Sequence, residues 1–417
     1  MATDRLTAVD AQMFWMSAKI PNDTFLLYAF DGVPADLDVA IDELIAQARN
    51  SVDLSRRVHD DSRLLYPEWV PAEVDRDRFT IYPSGGWSDC LSAVVALVDH
   101  QLDARVMPWR IHLFVGVTDV PGIAGPATVA VLQITHALGG GGRTCAPAAV
   151  MFGRRAVVEP IRPRYGHPAL LIRRSIEAAK AHRELLRDTE AGRVPAPAAP
   201  RPPRRTNASP AGLRSMRTLV FDRAELAGAT VTVAALSAIS AALAGQLSAL
   251  GEDTSTLGAE VTMTKPGHRR AYNHFGTVGI GLHPNLALPQ RRTTIAAELA
   301  DRRARAAHPA MRASDRAFAA TPAPLLRWGV SQFDPAVRPA AVTGNTVVSS
   351  VNCGPADFAF GGRPVRMAAA FPGLSPMVGL THCVTGVGDT IAISVFAAES
   401  AVGDVDEYLE RLGFAFP

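Results

Sequence analysis

The stretch VAVLQITHALGGGGRT, Val129 to Thr144, ends a β-rich apolar run on a single histidine, His136, and then meets four glycines. A histidine at the end of a buried strand is held rigidly and can face a cleft. With an unperturbed pKa near 6.5 it accepts a proton close to neutrality, as a general base must. The same position also suits a hydrogen-bonded structural histidine, and spacing alone leaves both readings open. The glycine run Gly139–Gly142 suggests another chemistry, because consecutive N–H groups can form a nest for an anion. No Lys-Ser or Lys-Thr follows it, as a phosphate-binding loop would require, and Arg143 is the only cation close by. Neither G-x-S-x-G nor H-E-x-x-H occurs, so serine-hydrolase and zinc-protease readings have no support. Cys90, Cys145, Cys353 and Cys383 lie far apart with no C-x-x-C pair, which gives no case for a zinc site or a disulfide framework. His112, His274 and His382 fall in or beside strand candidates and read as packed residues.

These side chains need elements to position them. The chain has 417 residues, about right for two domains. Its 42 Lys+Arg against 40 Asp+Glu give a formal charge of +2, so no overall field points to nucleic acid. FLLYAFDG, RIHLFVGV and TVAVLQI read as strands in the first half. AEVTMT, GTVGIGL, NTVVSSVN, PMVGLTHCV and DTIAISVFA do so in the second. DLDVAIDELIAQARNS reads as a helix with Asp36 or Asp38 near its start, and VGDVDEYLERLG as another. PALLIRRSIEAAKAHRELLRDT offers an apolar face of Leu171, Ile172, Ile176, Ala179 and Leu186. The Ala-rich run Leu226 to Leu250 reads as a core helix with Val233, Leu236, Ile239 and Leu247 inward, rather than a membrane span. Residues 193–210 hold six prolines and four arginines and favour an extended, solvated path. The expected division is therefore 1–190, a linker at 191–212, and 213–417, two layered α/β domains. The N-terminus lacks a continuous apolar core and a cleavage site for secretion, so a cytoplasmic protein is expected.

Four stretches in a fixed order carry a resemblance. THALGGG at Thr135–Gly141 resembles the H-H-x-x-x-D-G signature of the acyl-CoA-dependent acyltransferase superfamily. LTAVDAQMFWM at Leu6–Met16 looks like L-S-x-x-D-x-x-F, MPWRIHLFVGV at Met107–Val117 like P-L-W and a strand, and SVNCGP at Ser350–Pro355 like S-N-V-x-G-P. Together they are similar to the bacterial wax ester synthase/diacylglycerol acyltransferase family. The resemblance implies two chloramphenicol acetyltransferase-like α/β domains with a substrate tunnel between them. It implies acyl-CoA as co-substrate, with no other cofactor, and a hydroxyl-bearing lipid as acceptor: a long-chain alcohol, a diacylglycerol or a lipidic natural product. Contact with a membrane or lipid droplet is left open. His136 would be the base. Asn352, Ser350, Thr135, Gly140 and Gly141 would be the candidates for binding the substrate or the oxyanion. Pro108, Trp109, Asp10, Gly354 and Pro355 would be structural, with Asp10 read as a helix cap, and Asp357 would lie away from the reaction. Two positions depart from the signature: Thr135 replaces its first histidine and Gly140 its aspartate. A non-catalytic binding or assembly subunit of the same fold, or condensation on a carrier-bound thioester, are the alternatives.

Overall fold

The computed structural model describes residues 4–416 except Gly141 and Ala227. Alternating and continuous apolar runs build two six-stranded sheets. In the first, the order is Ala359–Phe360, Arg363–Phe371, Thr24–Asp31, Ala127–Ile134, Trp109–Val117 and Phe79–Tyr82. The Ala127–Ile134 strand is buried along its whole length, antiparallel to Thr24–Asp31 on one side and to Trp109–Val117 on the other. Burial on both faces explains why it reads as a continuous apolar run rather than an alternation. In the second sheet the order is Arg214–Asp222, Thr390–Ala398, Leu380–Val387, Thr346–Asn352, Gly258–Thr264 and Phe275–Gly281.

The division does not follow the linker cleanly. Arg363–Phe371, from the second half, leaves its own sheet and pairs with Thr24–Asp31 from Phe25↔Phe371 to Phe30↔Val365. Residues 359–371 thus complete the first sheet, and the expected 213–417 unit gives up two strands to its neighbour. The segment 191–212 is extended but not free in solvent. Arg201 and Val342 exchange backbone hydrogen bonds of 2.9 Å, and Thr206 and Asn207 are buried against the second half. The reason is polar: Asn207 Nδ2 donates to the Gly344 carbonyl and Asn207 Oδ1 accepts from Asn345 Nδ2, each at 3.0 Å.

Two helices test the periodicity argument in opposite ways. Val231–Ala249 buries Val233, Leu236, Ile239 and Leu247 in the second core, as their spacing requires. Leu171–Glu190 forms, but Ile172 is 76% exposed and Ile176, Ala179 and Leu186 are exposed as well. Only Leu185 is fully buried. The helix lies against Pro309–Ala319 through a different side, chosen by that neighbour.

Candidate active site

His136 stands where the central strand stops. After Ile134 the chain turns through a short 3-10 segment, His136–Leu138, with Thr135 extended before it. The start of that turn is fixed from the adjoining strand, because Thr135 N donates to the Pro108 carbonyl at 2.9 Å. Trp109, next to Pro108, is fully buried and donates from Nε1 to the Leu54 carbonyl at 2.8 Å. The Met107-Pro108-Trp109 segment therefore anchors the base of the histidine loop.

The end of the turn is fixed from the other half of the chain. Asn273 Nδ2 donates to the His136 carbonyl at 2.9 Å and to Asp10 Oδ1 at 3.0 Å. The buried Asp10 carboxylate also accepts from the backbone N–H groups of Asn273 and Tyr272, at 2.9 and 3.1 Å, and from the Thr7 hydroxyl at 2.7 Å. Asp10 is thus not the cap of its helix. Thr7 occupies the cap position, and Asp10 reaches across to the 272–273 segment. Burial holds the Asp10 pKa above the ordinary carboxylate value in spite of these donors. Gly139 has φ +93°, and a β-carbon there would come within 2.9 Å of the Tyr272 carbonyl. Only glycine permits that backbone approach.

His136 is partly exposed as a residue, and its ring lies 6.0 Å from the Phe275 ring. Its Nδ1 is buried without a hydrogen-bond partner. A β-carbon on Gly140 would meet Nε2 at 3.5 Å, so Gly140 leaves space beside that nitrogen. Burial lowers the His136 pKa below 6.5, which keeps the imidazole neutral and able to accept a proton at pH 7. Thr135 is buried, and its hydroxyl has no partner either. Gly141 lies outside the described residues.

Other expected residues take structural work. Arg143 does not wait for an anion: it pairs with Asp53 and donates to the Glu159 carbonyl at 2.7 Å, while Tyr272 OH donates to Asp53 at 2.8 Å. Asn352 Oδ1 accepts from Gly354 N at 2.9 Å, closing its own turn, and among the described residues the side chain makes no hydrogen bond to the histidine loop. Ser350 Oγ accepts from Thr232 at 2.9 Å. The Gly354-Pro355 turn is latched by Arg154, which donates to the carbonyls of Cys353 and Pro355 and to Asp357. His112 and His382 are buried with both ring nitrogens engaged. Cys145, Cys353 and Cys383 converge beside Tyr28, although they are distant in sequence. The Cys353 contact and burial push the Cys145 thiol up, so it is a packed group rather than a nucleophile.

A cavity of about 870 Å³ opens beside this network, lined by Asp10, Asp53, Arg143, Trp69, Ile161 and Tyr272 among others. It shares the residues that hold the histidine loop, yet His136 itself is not in its wall.

Comparison with known proteins then bears on what this arrangement is. Residues 272–416 match the WS/DGAT C-terminal domain. That stretch resembles a WS/DGAT C-terminal domain. It begins at Tyr272, the first residue of the segment that clasps Asp10 and the His136 carbonyl. The whole chain shares its fold with the wax ester synthase/diacylglycerol acyltransferase from Marinobacter aquaeolei VT8, at TM-score 0.59 and 19% identity, over 99% of this chain and 98% of that one. A mutant of the starter condensation domain of rhizomide synthetase, solved with C8-CoA, aligns at TM-score 0.58 and 12% identity, over 99% and 94%. The first condensation domain of the CDA synthetase aligns at 0.57 and 15%, over 100% and 95%. The architecture is therefore the two-domain, chloramphenicol acetyltransferase-like one. No curated protein matches in sequence.

Proposed function

We propose that this protein is an acyltransferase that moves an acyl group from acyl-CoA to a hydroxyl acceptor, with His136 as general base. The observation that carries the reading is the support given to His136. The motif aspartate is gone, yet the loop is pinned by Pro108 at one end and by Asn273 and Asp10 at the other. The WS/DGAT domain match and the C8-CoA held by a structural neighbour favour the same class. In the reaction, the neutral imidazole takes the acceptor's hydroxyl proton as its oxygen bonds to the acyl carbonyl carbon. The C–S bond then breaks, and the imidazolium returns the proton to the leaving thiolate as free CoA. Two substrates held beside one base gain chiefly from proximity. A long-chain alcohol, a diacylglycerol or a lipidic natural product fits the acceptor role.

The unpartnered Nδ1 favours a second reading, a non-catalytic subunit, because a working base is ordinarily oriented through its other nitrogen. The two separate on acceptor dependence. Purified protein should release CoA from long-chain acyl-CoA only when an alcohol or diacylglycerol is added. No release across a panel of acyl-CoAs and acceptors would favour the non-catalytic reading.

A further inference from the structure

Positive charge is nearly balanced over the chain as a whole, but several arginines meet where two segments pair beside the candidate site. The segment 162–164 runs beside the 265–274 loop of the second half, with Arg162 N donating to the Arg269 carbonyl at 2.9 Å and Arg164 N to the Arg270 carbonyl at 3.3 Å. This pairing sets Arg164 beside Arg270, the Lys265–Asp315 ion pair brings Arg316, next to Asp315, to the same loop, and the packing of Leu171–Glu190 on Pro309–Ala319 carries Arg174 to that side. Arg164 feels the charges of Arg316, Arg270 and Arg174, which, after desolvation, lower its pKa against the opposing pull of Asp315. Of the four, Arg174 is paired with Glu177 at 2.7 Å. The side chains of Arg164, Arg270 and Arg316 have no ion-pair or hydrogen-bond partner among the described residues. The nearby acids are already committed, Asp315 to Lys265 at 2.7 Å and Glu159 toward Arg269 at 3.9 Å.

The same loop carries a second observation. His274 is only 7% exposed and its Nε2 has no partner. Burial and the charges of Lys265, Arg269 and Arg270 keep it neutral, so it adds no compensating charge. Its neighbours in the chain, Asn273 and Phe275, meet the His136 carbonyl and ring. Arg270 is three residues from Asn273, about 10 Å of extended chain at most. An extended pantetheine arm is longer than this span, so a thioester at His136 and phosphates at the arginines lie within the reach of one CoA molecule.

Like charges gathered without counter-ions cost free energy, and planar guanidinium forks match phosphate oxygens in geometry. We infer that Arg164, Arg270 and Arg316, with Arg174 beside them, bind the phosphates of the CoA donor and so fix the side from which the thioester reaches His136. This inference rests on the acyl-CoA reading above.

The test is the triple variant Arg164→Gln, Arg270→Gln, Arg316→Gln, with CoA itself as the probe. Because these side chains make no partnered contact, the variant should melt at or above the wild-type temperature. Calorimetric CoA affinity should fall at least tenfold, the scale of one to two lost charge-assisted contacts. Wild-type binding should weaken with added salt and lose that dependence in the variant. In turnover, KM for acyl-CoA should rise by a similar factor while kcat changes little. The preference for acyl-CoA over acyl-pantetheine, which lacks the nucleotide phosphates, should collapse. Equal CoA affinity in variant and wild type would overturn the inference while leaving the acyltransferase reading intact. Failure of the wild type to bind CoA at all would remove both. A variant that keeps CoA but no longer sediments with phosphatidylglycerol vesicles would assign the cluster to a lipid surface instead.

Discussion

His136 and His382 both depend on strands of near-complete burial, one just past the end of Ala127–Ile134 and one inside Leu380–Val387. His382 has no exposed surface, lies 2.9 Å from Thr346 Oγ1 and 2.7 Å from the Tyr408 hydroxyl, and is held neutral by burial with its pKa lowered to about 3. His136 keeps some exposure, has open space beside Nε2, and leaves Nδ1 without a partner. What is bonded at His136 is the backbone rather than the ring. His382 is consumed by packing. His136 is positioned through its backbone and keeps space beside Nε2, which is what an approaching acceptor requires.

The support of His136 should be the costliest part to break. Asp10→Ala strands the N–H groups of Tyr272 and Asn273 and the Asn273 amide, each a bond to a charged acceptor worth about 1.5–3 kcal/mol. A loss of about 3–5 kcal/mol in denaturant unfolding is expected, together with loss of turnover. A wild-type unfolding midpoint would show that the junction does not depend on this carboxylate.

His382→Ala should cost about 2–4 kcal/mol, because a cavity opens in the core, the buried Tyr408 hydroxyl loses its partner and the Thr346 hydroxyl keeps only the Leu380 carbonyl, whereas His136→Ala should move stability by well under 1 kcal/mol. The contrast extends to pH. The folded pKa of His382 is depressed to about 3 against about 6.5 unfolded, so its contribution is full above pH 6.5 and drains as pH falls toward 3. The slope is about 1.4 kcal/mol per pH unit. The difference in unfolding free energy between wild type and His382→Gln should shrink over that window. A pH-independent difference would contradict the buried neutral state.

Gly140→Asp sharpens the comparison at the smallest scale. It restores the signature aspartate, but its β-carbon would lie against His136 Nε2. A carboxylate there favours the imidazolium, so turnover near pH 6–7 should fall several-fold and recover as pH rises. A gain in rate at pH 7 would instead mark the loop as a decayed site wanting its lost aspartate.

What could be read from the sequence was local. Thr24–Asp31, Trp109–Val117 and Ala127–Ile134 stand out because burial imposes apolar runs on them, and His136 because it ends one. Arg214–Asp222 carries Arg214 and Arg217 in a mostly half-buried run and does not advertise itself, and Arg363–Phe371 gives no sign that it serves the other sheet. Asn273 carries no motif of its own. Its role arises only when the fold brings it to Asp10, 263 residues away, and nothing in either stretch encodes that meeting. Nor does spacing foretell that Asn352 would spend its oxygen on Gly354, or that Ile172 would face outward. These depend on which neighbour each surface finds.

The central claim is that His136 is a positioned base. Acceptor-dependent CoA release by His136→Ala, measured beside wild type on protein shown to be folded by its melting temperature, tests it most directly. The rate should fall by about 100-fold or more, the scale of general-base catalysis. Equal rates in the two proteins would contradict it.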